Sequence, residues 1–320
     1  LDVSPITVSR ALSGQPGVSD ELRQKIINKA KELGYKKIKC NDKSNILLIV
    51  GHKYYNENSN FGQKVQGIEK YIKKLGAEFI MEFIEKEKQE NFETPYNISR
   101  GTNFDGVILM GPFENDYISF IKEKIKNVVI FNKFTFGIDC NFVHFNYNTI
   151  GYTATQYLIN KGHRKIGFIG VEGAFANPQR YFGYTKALEL NNIELNMDYV
   201  IKTPEEMTDR VKQMINKGDL PTAFTCQSDR MALELIKLLH CNKISVPDQV
   251  SVIGIGNSEM SSISIPALTT FDLNIDYACE AAVRLVFERM NDTTGPNRVI
   301  YINATLVERD SVRDLTSEER

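Results

Sequence analysis

A short segment near the start of the chain combines residue types that can contact DNA bases. Ser4 can cap a helix that begins at Pro5, because a proline at the first helical position removes no hydrogen-bond donor that the helix needs. Val8 and Leu12 then form an inner apolar stripe. The outward positions hold Pro5, Ile6, Ser9 and Arg10. A short, polar and basic outward face of this kind suits a helix that enters the DNA major groove.

A second helix is predicted after the break at Gly14–Gly17. Ser19 is positioned to cap this helix, and Asp20 and Glu21 fall in its positively polarised first turn. Gly34 is expected to end the helix. The two helices predict a partial helix-turn-helix head.

Charge divides the chain into two parts. Residues 1–45 hold nine Lys or Arg against five acidic residues, a net charge of +4, whereas residues 46–320 carry a net charge of −5. A basic segment joined to an acidic body is typical of a nucleic-acid-binding module attached to another domain. A solvated basic helix face would give the same charge, so charge alone leaves both interpretations open.

The body alternates short apolar strands with helical segments, and this alternation must position any further functional residues. The predicted strands are Ile46–Val50, Ala77–Ile84, Gly106–Met110, Val128–Phe131, Lys165–Gly170, Ala223–Cys226 and Val250–Ile255. The predicted helices are Phe61–Leu75, Ile150–Lys161, Tyr181–Asn191, Arg230–Leu239 and Tyr277–Met290. The pattern predicts βαβ units and parallel sheets covered on both faces.

About ten strands exceed one comfortable sheet. The predicted fold class is therefore α/β, with two doubly wound parallel-sheet lobes that follow a partial all-α helix-turn-helix head and separate near residues 146–150. Open parallel sheets bind ligands beyond the carboxyl ends of their strands. This rule places a binding crevice between the lobes.

Length and composition exclude several classes of protein. The 320 residues suffice for two or three domains, and the longest aliphatic run, Ile46–Val50, is far shorter than the about 20 residues of a membrane span. The five cysteines are odd in number and include no Cys-x-x-Cys spacing, which indicates reduced thiols rather than a disulfide framework or a zinc ribbon. No secretory leader opens the chain, so we expect a cytoplasmic location without membrane contact.

Catalytic motifs are missing from the sequence. It contains no Gly-x-Ser-x-Gly, no Gly-x-x-x-x-Gly-Lys-Ser/Thr and no His-Glu-x-x-His. Residues 254–256 begin like a dinucleotide fingerprint but lack the third glycine and the acidic residue that should follow. The four histidines are scattered. We therefore expect no catalytic residues, no metal site, no cofactor and no enzymatic activity.

Seven segments carry a resemblance that spans essentially the whole chain. They are Val3–Leu12, Gly17–Ser19, Ala30–Tyr35, Gly162–Gly170, Ser228–Ala232, Val246–Gly254 and Pro266–Thr270. In order and spacing they resemble the LacI/GalR family of bacterial transcription regulators. The resemblance implies a homodimer that places its recognition helices in the major groove of double-stranded operator DNA. It also implies a periplasmic-binding-protein-like core that senses a small molecule.

The resemblance implies roles for individual residues of the head. Pro5, Ile6 and Arg10 fall where the family contacts base edges, and Thr7 and Ser9 fall where it contacts phosphate. Arg10 is the one long donor, which suits a guanine edge, whereas Pro5 and Ile6 can offer only apolar contact, for example with a thymine methyl group. The remaining predicted DNA-binding residues are Ser4, Lys36 and Lys37.

Two departures from the family pattern affect DNA binding. The family's first helix would precede residue 1, so the chain as written is expected to be a fragment that binds DNA poorly. After Tyr35, residues 36–44 are shorter than the family's hinge segment and contain neither proline nor leucine. We expect a non-helical basic tether that contacts phosphates in place of a hinge helix.

The predicted crevice contains a second set of candidates. Arg180 matches the family's effector-gripping arginine, and a guanidinium can clamp two hydroxyls or a carboxylate. A surface arginine at a helix start is the alternative interpretation. The other predicted effector-binding residues are Phe61, Gly111, Asn132, Ser228, Asp229, Gly256 and Asn257.

The composition of this set bears on the ligand. Asn132 and Gly256 stand where the family often has an acidic residue, and Ser228 stands where it often has asparagine. Fewer acids beside a retained arginine favour an anionic ligand such as a sugar phosphate. A neutral sugar bound through Asn132, Asn257 and Asp229 remains the alternative.

These observations predict four regions. Residues 1–36 form the head and residues 37–45 the basic linker; the first lobe comprises 46–146 and 276–296, and the second lobe 147–275 and 297–320. The predicted function is that of a transcriptional regulator, a repressor, in which effector binding closes the crevice and changes the spacing of the two heads. A solute-binding protein for sugar uptake would share the two-lobe core, and a Rossmann-type enzyme is a more distant alternative. For the dimer surface we predict Phe61–Leu75 and Tyr277–Met290, although such helices also serve as plain sheet covers.

Overall fold

The structure is a computed structural model of the chain that describes residues 3–13, 17–32, 44–52, 54, 60–133, 137–170, 172, 176–292 and 294–316. The predicted phosphate contacts at Lys36 and Lys37 lie outside the described residues, as does most of the predicted linker. Over the described ranges, no helix is both long enough and apolar enough to cross a membrane.

The head contains two helices, α1 (Pro5–Ser13) and α2 (Asp20–Glu32). The Ser4 hydroxyl accepts a hydrogen bond from the Thr7 backbone N–H at 3.1 Å, which confirms the predicted cap. The inner face of α1 packs on α2 through Ala11, Leu12, Ile26 and Ile27. The helix pair is therefore held by a small apolar core, and the opposite face of α1 is left for solvent.

Six strands form the sheet of the first lobe. They are β1 (Asn45–Gly51), β2 (Glu78–Ile84), β3 (Gly106–Met110), β4 (Val128–Phe131), β5 (Asn141–Phe145) and β11 (Val299–Ile302), in the order β11-β5-β4-β3-β1-β2. Every neighbouring pair is parallel. Along β1, Ile46, Leu48 and Val50 join one apolar cluster while Leu47 and Ile49 join another. The strand is apolar throughout because both of its faces are covered.

Helices cover both faces of this first sheet. The covering elements are α3 (Phe61–Lys74), α4 (Lys86–Glu90), α5 (Tyr96–Ser99), α6 (Asn115–Lys124) and α12 (Ile275–Asn291). Helix α12 comes from the far end of the sequence and packs against α3 and the sheet.

The second lobe is built around a smaller parallel sheet. Its strands are β6 (Ile166–Ile169), β7 (Val200–Ile201), β8 (Ala223–Cys226) and β9 (Ser251–Ile253), in the order β7-β6-β8-β9. Strands β10 (Thr270–Asp272) and β12 (Thr305–Val307) pair antiparallel beside it, and an Ile253–Thr269 bridge joins them to β9. The helices are α7 (Tyr147–Asn160), α8 (Ala176–Leu190), α9 (Met207–Lys217), α10 (Asp229–Cys241) and α11 (Glu259–Ile263), with a 3-10 turn at Met197–Tyr199. The predicted fold class is thus confirmed.

The chain crosses between the lobes at three asparagines. Asn146 follows β5, Asn274 precedes α12, and Asn303 separates β11 from β12. The Asn146 side chain donates to the Asn303 side-chain oxygen at 3.1 Å, and the Asn274 side chain donates to the Asn303 carbonyl oxygen at 2.8 Å. The three crossings therefore lie side by side and are tied to one another.

One predicted boundary is wrong. The sequence interpretation assigned residues 297–320 wholly to the second lobe, but β11 extends the first sheet, with Val299 opposite Phe142. Parallel pairing with β5 satisfies backbone groups along that strand and makes β11 the edge strand of the sheet. The second-lobe portion of this tail begins only after Asn303.

Candidate functional site

The outer face of α1 exposes most of the residues predicted to contact DNA. Ser4, Pro5, Ser9 and Arg10 are exposed and Thr7 is partly buried, while the large apolar side chain of Ile6 is 65 % exposed. An exposed isoleucine beside an exposed arginine offers one apolar contact and one forked donor on the same short face.

The end of α1 is fixed by the second helix. The Arg23 guanidinium donates to the carbonyl oxygens of Arg10 and Ala11, each at 3.2 Å. Arg23 thus satisfies carbonyls at the end of α1 that have no partner within the helix. The presentation of Arg10 therefore depends on α2 as well as on α1 itself.

The predicted crevice residues lie where the two parallel sheets end. Gly111 and Asn132 follow β3 and β4 in the first lobe, and Ser228 and Gly256 follow β8 and β9 in the second. A Cβ added to Gly256 would lie 3.8 Å from the side-chain nitrogen of Asn60, which precedes α3. The carboxyl ends of both sheets therefore face each other, as the sequence predicts.

A chain of buried polar groups spans this crevice. The Asn132 amide nitrogen donates to the Tyr54 hydroxyl at 2.6 Å, and the Tyr147 hydroxyl donates to the Asn132 amide oxygen at 2.6 Å. Lys64 lies 3.3 Å from the same Tyr54 hydroxyl. The Arg180 guanidinium carbon lies 4.5 Å from the centre of the Tyr147 ring. Asn132 and Arg180, both predicted from the sequence to bind the effector, are thereby brought together through Tyr54 and Tyr147.

Lys64 is the functional candidate that the sequence interpretation missed. It is only 2 % exposed, and its ammonium lies within 6 Å of the ring centres of Tyr54 and Phe145. Burial lowers the pKa of Lys64 to about 7; the positive charge of Arg180 acts in the same direction and Cys279 acts against it. A signal was present in the sequence, because Lys64 lies one turn before the buried Ile68 on the inner stripe of α3.

Raising the pH from 7 to 9 is expected to stabilise the wild-type chain by about 2 kcal/mol relative to Lys64→Met. The folded chain holds the Lys64 proton less tightly than the unfolded chain, so the cost of the buried charge is complete below pH 7 and fades as the pH rises toward 10.5. Urea unfolding of both proteins across this range measures the difference. Parallel pH profiles would contradict the buried position of Lys64.

Phe61 and Gly111 line the same end of the first sheet. The Phe61 ring packs edge-on against Tyr54 at 6.2 Å. Gly111 has a φ of +111°, and a Cβ there would lie 3.0 Å from the Tyr54 side chain. Glycine is therefore required both for the backbone conformation and for the close approach of Tyr54.

The predicted residues of the second lobe have internal partners. Asp229 accepts hydrogen bonds from the Thr270 hydroxyl and from the Ser258 backbone N–H. Ser228 caps α10 by accepting from the Met231 backbone N–H at 3.3 Å. Asn257 bridges Asp272 and Arg309, at 2.8 Å to each. Hydrogen bonds within the second lobe therefore fix these side chains, which form one wall of the crevice. Direct contact between them and an effector stays a prediction.

A cavity of about 540 Å³ opens beside this wall. Gly256 and Asn257 line it from the second lobe, and Gln63, Gln66 and Lys70 line it from α3. Lys64 and Arg180 are not among its lining residues. The predicted effector-binding residues therefore fall into two places: Asn132 and Arg180 belong to the buried polar chain, and Gly256 and Asn257 line the more open cavity.

The position of Arg180 is set by a close helix crossing. A Cβ on Gly151 of α7 would lie 2.0 Å from the Arg180 carbonyl oxygen, and a Cβ on Gly183 of α8 would lie 2.1 Å from the Asn148 carbonyl oxygen. Glycine at both positions lets the two backbones touch. This contact holds the start of α8 against α7 and places the Arg180 guanidinium over Tyr147.

Within the described ranges, no group of three or more His, Cys, Asp or Glu side chains is arranged to hold a metal ion.

Comparison with known proteins identifies two regions. Residues 2–37 match the family described as bacterial regulatory proteins, lacI family, and residues 155–312 match the periplasmic binding protein-like domain. The repressor PurR of Mannheimia succiniciproducens is 27 % identical over 98 % of this chain and 96 % of that protein. The probable repressor ExuR of Bacillus subtilis is 26 % identical over 99 % and 97 %.

Solved structures show the same fold. A complex of the transcriptional regulator CelR with cellobiose superposes with a TM-score of 0.71 at 22 % identity, covering 97 % of this chain and 96 % of that chain. The lac repressor dimer bound to operator and the anti-inducer ONPF gives a TM-score of 0.72 at 20 % identity, with the same coverage.

Proposed function

This chain belongs to the lacI family of bacterial regulatory proteins, and we propose that it is a sequence-specific transcriptional repressor controlled by a small molecule bound between its lobes. It acts as a cytoplasmic homodimer on double-stranded operator DNA and catalyses no reaction. The effector is a sugar or a sugar phosphate.

The observation that carries the proposal is the orientation of α1. It buries Ala11 and Leu12 against α2 and leaves Ile6 and Arg10 exposed on one outward face. A solute-binding protein for uptake has no use for such a head. The curated relatives that span nearly the whole chain are named as repressors.

Control by an effector is supported by the polar chain between the lobes. Lys64 and Tyr54 belong to the first lobe and Arg180 to the second, and Asn132 and Tyr147 connect them. A ligand that exchanges hydrogen bonds with these buried polar groups changes the relative stability of the open and closed arrangements of the lobes. Such a difference between states is typically worth about 1–3 kcal/mol, or about 5–150-fold in operator affinity.

Selection of duplexes from a random library by the full-length protein tests the proposal. A repressor enriches one pseudo-palindromic site, because the two heads of a dimer read two half-sites. Equal retention of all duplexes, combined with tight binding of a sugar, would favour the uptake protein instead.

The substitution Arg10→Ala is expected to lower affinity for the selected site about 5–150-fold, the equivalent of about 1–3 kcal/mol for one forked base contact. Affinity for scrambled DNA should change far less. Fluorescence anisotropy at fixed salt measures both affinities.

Lys25→Ala is the matched control, since Lys25 is an exposed cation of α2 paired with Glu21 at 2.9 Å. It should retain the preference for the selected site. If Lys25→Ala loses the preference for the selected site and Arg10→Ala keeps it, then α2 rather than α1 contacts the bases.

A further inference from the structure

A cationic side chain of α2 is bonded to the end of the helix that faces DNA. Arg23 donates from one guanidinium nitrogen, Nη1, to the carbonyl oxygens of Arg10 and Ala11, each at 3.2 Å. Arg10 is the one long donor in α1, and it is exposed. The bond therefore holds the backbone of the same residue that is predicted to contact a base.

Arg23 is itself placed by the apolar core of the head. It lies three and four residues before Ile26 and Ile27, which are buried in the cluster that also contains Ala11. Residues at these spacings share one face of a helix, so the stem of Arg23 leaves α2 on the side that packs on α1. The side chain is partly buried, and its positive charge lies at the negatively polarised end of α1. Arg23 thus joins the core of the head to the last turn of α1.

Base reading by Arg10 requires an accurate position of its backbone. A guanidinium forms two bonds to one guanine edge only when both bonds are aligned. A small tilt of α1 at Arg10 moves the far end of this long side chain by a larger distance. Attraction to the phosphate backbone tolerates such a shift, because it does not depend on the sequence or on one exact geometry. A loosened α1 should therefore lose discrimination between sequences and keep its affinity for DNA in general.

We propose that Arg23 is a positioning residue for base reading. It holds the last turn of α1 so that Arg10 meets its base edge, and it contacts neither base nor phosphate itself. The proposal rests on the repressor function proposed above and adds a residue of the second helix to the determinants of operator choice. Its effect passes through Arg10 alone.

Arg23→Met in the full-length protein tests the proposal. Fluorescence anisotropy measures affinity for the duplex selected from the random library and for a scrambled duplex of the same composition, at about 50 to 200 mM salt. The ratio of the two affinities should fall about 5–150-fold, the range set by one forked base contact. The slope of log affinity against log salt concentration should not change. A phosphate contact would instead lower both affinities and reduce the slope by about 0.9.

A double-mutant cycle shows whether Arg23 acts through Arg10. In the Arg10→Ala protein, Arg23→Met should lower the ratio by less than about 2-fold, because the reading side chain has already gone. Arg23→Lys keeps the charge and a donor that can reach the same carbonyl oxygens, and should restore the ratio to within about 3-fold of the wild type. Additive losses in the cycle, or equal ratios for Arg23→Lys and Arg23→Met, overturn the proposal.

Lys25→Met is the matched control, since Lys25 is an exposed cation of the same helix that pairs with Glu21 at 2.9 Å. It should bind both duplexes as the wild type does. An equal loss of affinity for both duplexes in Arg23→Met means that Arg23 only stabilises the head or binds phosphate, which also overturns the proposal. If the wild type discriminates and Arg23→Met discriminates equally well, the positioning role fails and the proposed function stands. If the wild type prefers no duplex, the function itself fails.

Discussion

Replacing Arg180 with methionine should lower the affinity of the chain for its effector about 30-fold or more, because a buried charge-assisted contact is worth about 2–5 kcal/mol. Arg180 is buried and approaches the polar chain from the second lobe, where its guanidinium rests on the Tyr147 ring. Methionine retains much of the apolar stem but offers no donor.

Calorimetric titration of the effector and operator-binding curves at increasing effector concentration measure this loss. The preference for the selected duplex should survive in Arg180→Met, since the head is unchanged. Arg230→Met is the control, because Arg230 is an exposed arginine of the same lobe that pairs with Glu234 at 2.9 Å. If Arg180→Met and the control bind the effector equally well, Arg180 has no role in holding it.

Gly151→Ala should reduce the free energy of unfolding by about 3 kcal/mol, at the upper end of the usual cost of overpacking. The added Cβ would meet the Arg180 carbonyl oxygen at 2.0 Å, and neither backbone can yield as a flexible side chain would. The two helices must separate, so Arg180 shifts and effector affinity should fall as well. Urea unfolding and effector titration of the same protein measure both effects.

Gly62→Ala provides the matched control for this glycine. Gly62 also lies in a helix, α3, and no described atom lies within 4 Å of a Cβ placed there. Alanine at this position should stabilise the chain by about 0.5–1 kcal/mol, as expected from helix propensity. Similar stability changes for the two substitutions would mean that α7 and α8 do not touch at Gly151.

Strands with largely apolar sequences were the easiest to predict. Gly106–Met110, Val128–Phe131 and Ala223–Cys226 have the predicted bounds, because strands buried on both faces are mainly apolar, and the mixed strand Ala77–Ile84 was also predicted to within one residue. Strand β5 was missed because Asn141 and His144 interrupt it. Strand β11 was missed because its residues alternate between exposed and partly buried, and its pairing with β5 joins segments more than 150 residues apart.

The site was predictable where one residue type carries the signal. Arg180 follows from the family resemblance, and the exposed face of α1 follows from helical periodicity. The hydrogen bonds of Tyr54 and Tyr147 to Asn132 could not be predicted from spacing, because only the fold brings both hydroxyls to this side chain. Asp229 was assigned to the ligand, but Thr270, which engages its carboxylate, lies 41 residues further along the chain. Spatial neighbours of this kind cannot be derived from spacing.

The tie between Asn146, Asn274 and Asn303 limits what the protein can report. Three neighbouring connections that are joined by hydrogen bonds favour a hinge-like rotation of one lobe against the other. Effectors of different chemistry then all act through the same quantity, the angle between the two lobes. Residues that line the crevice can therefore be exchanged during evolution, while the part of the protein that converts the angle between the lobes into operator occupancy stays the same.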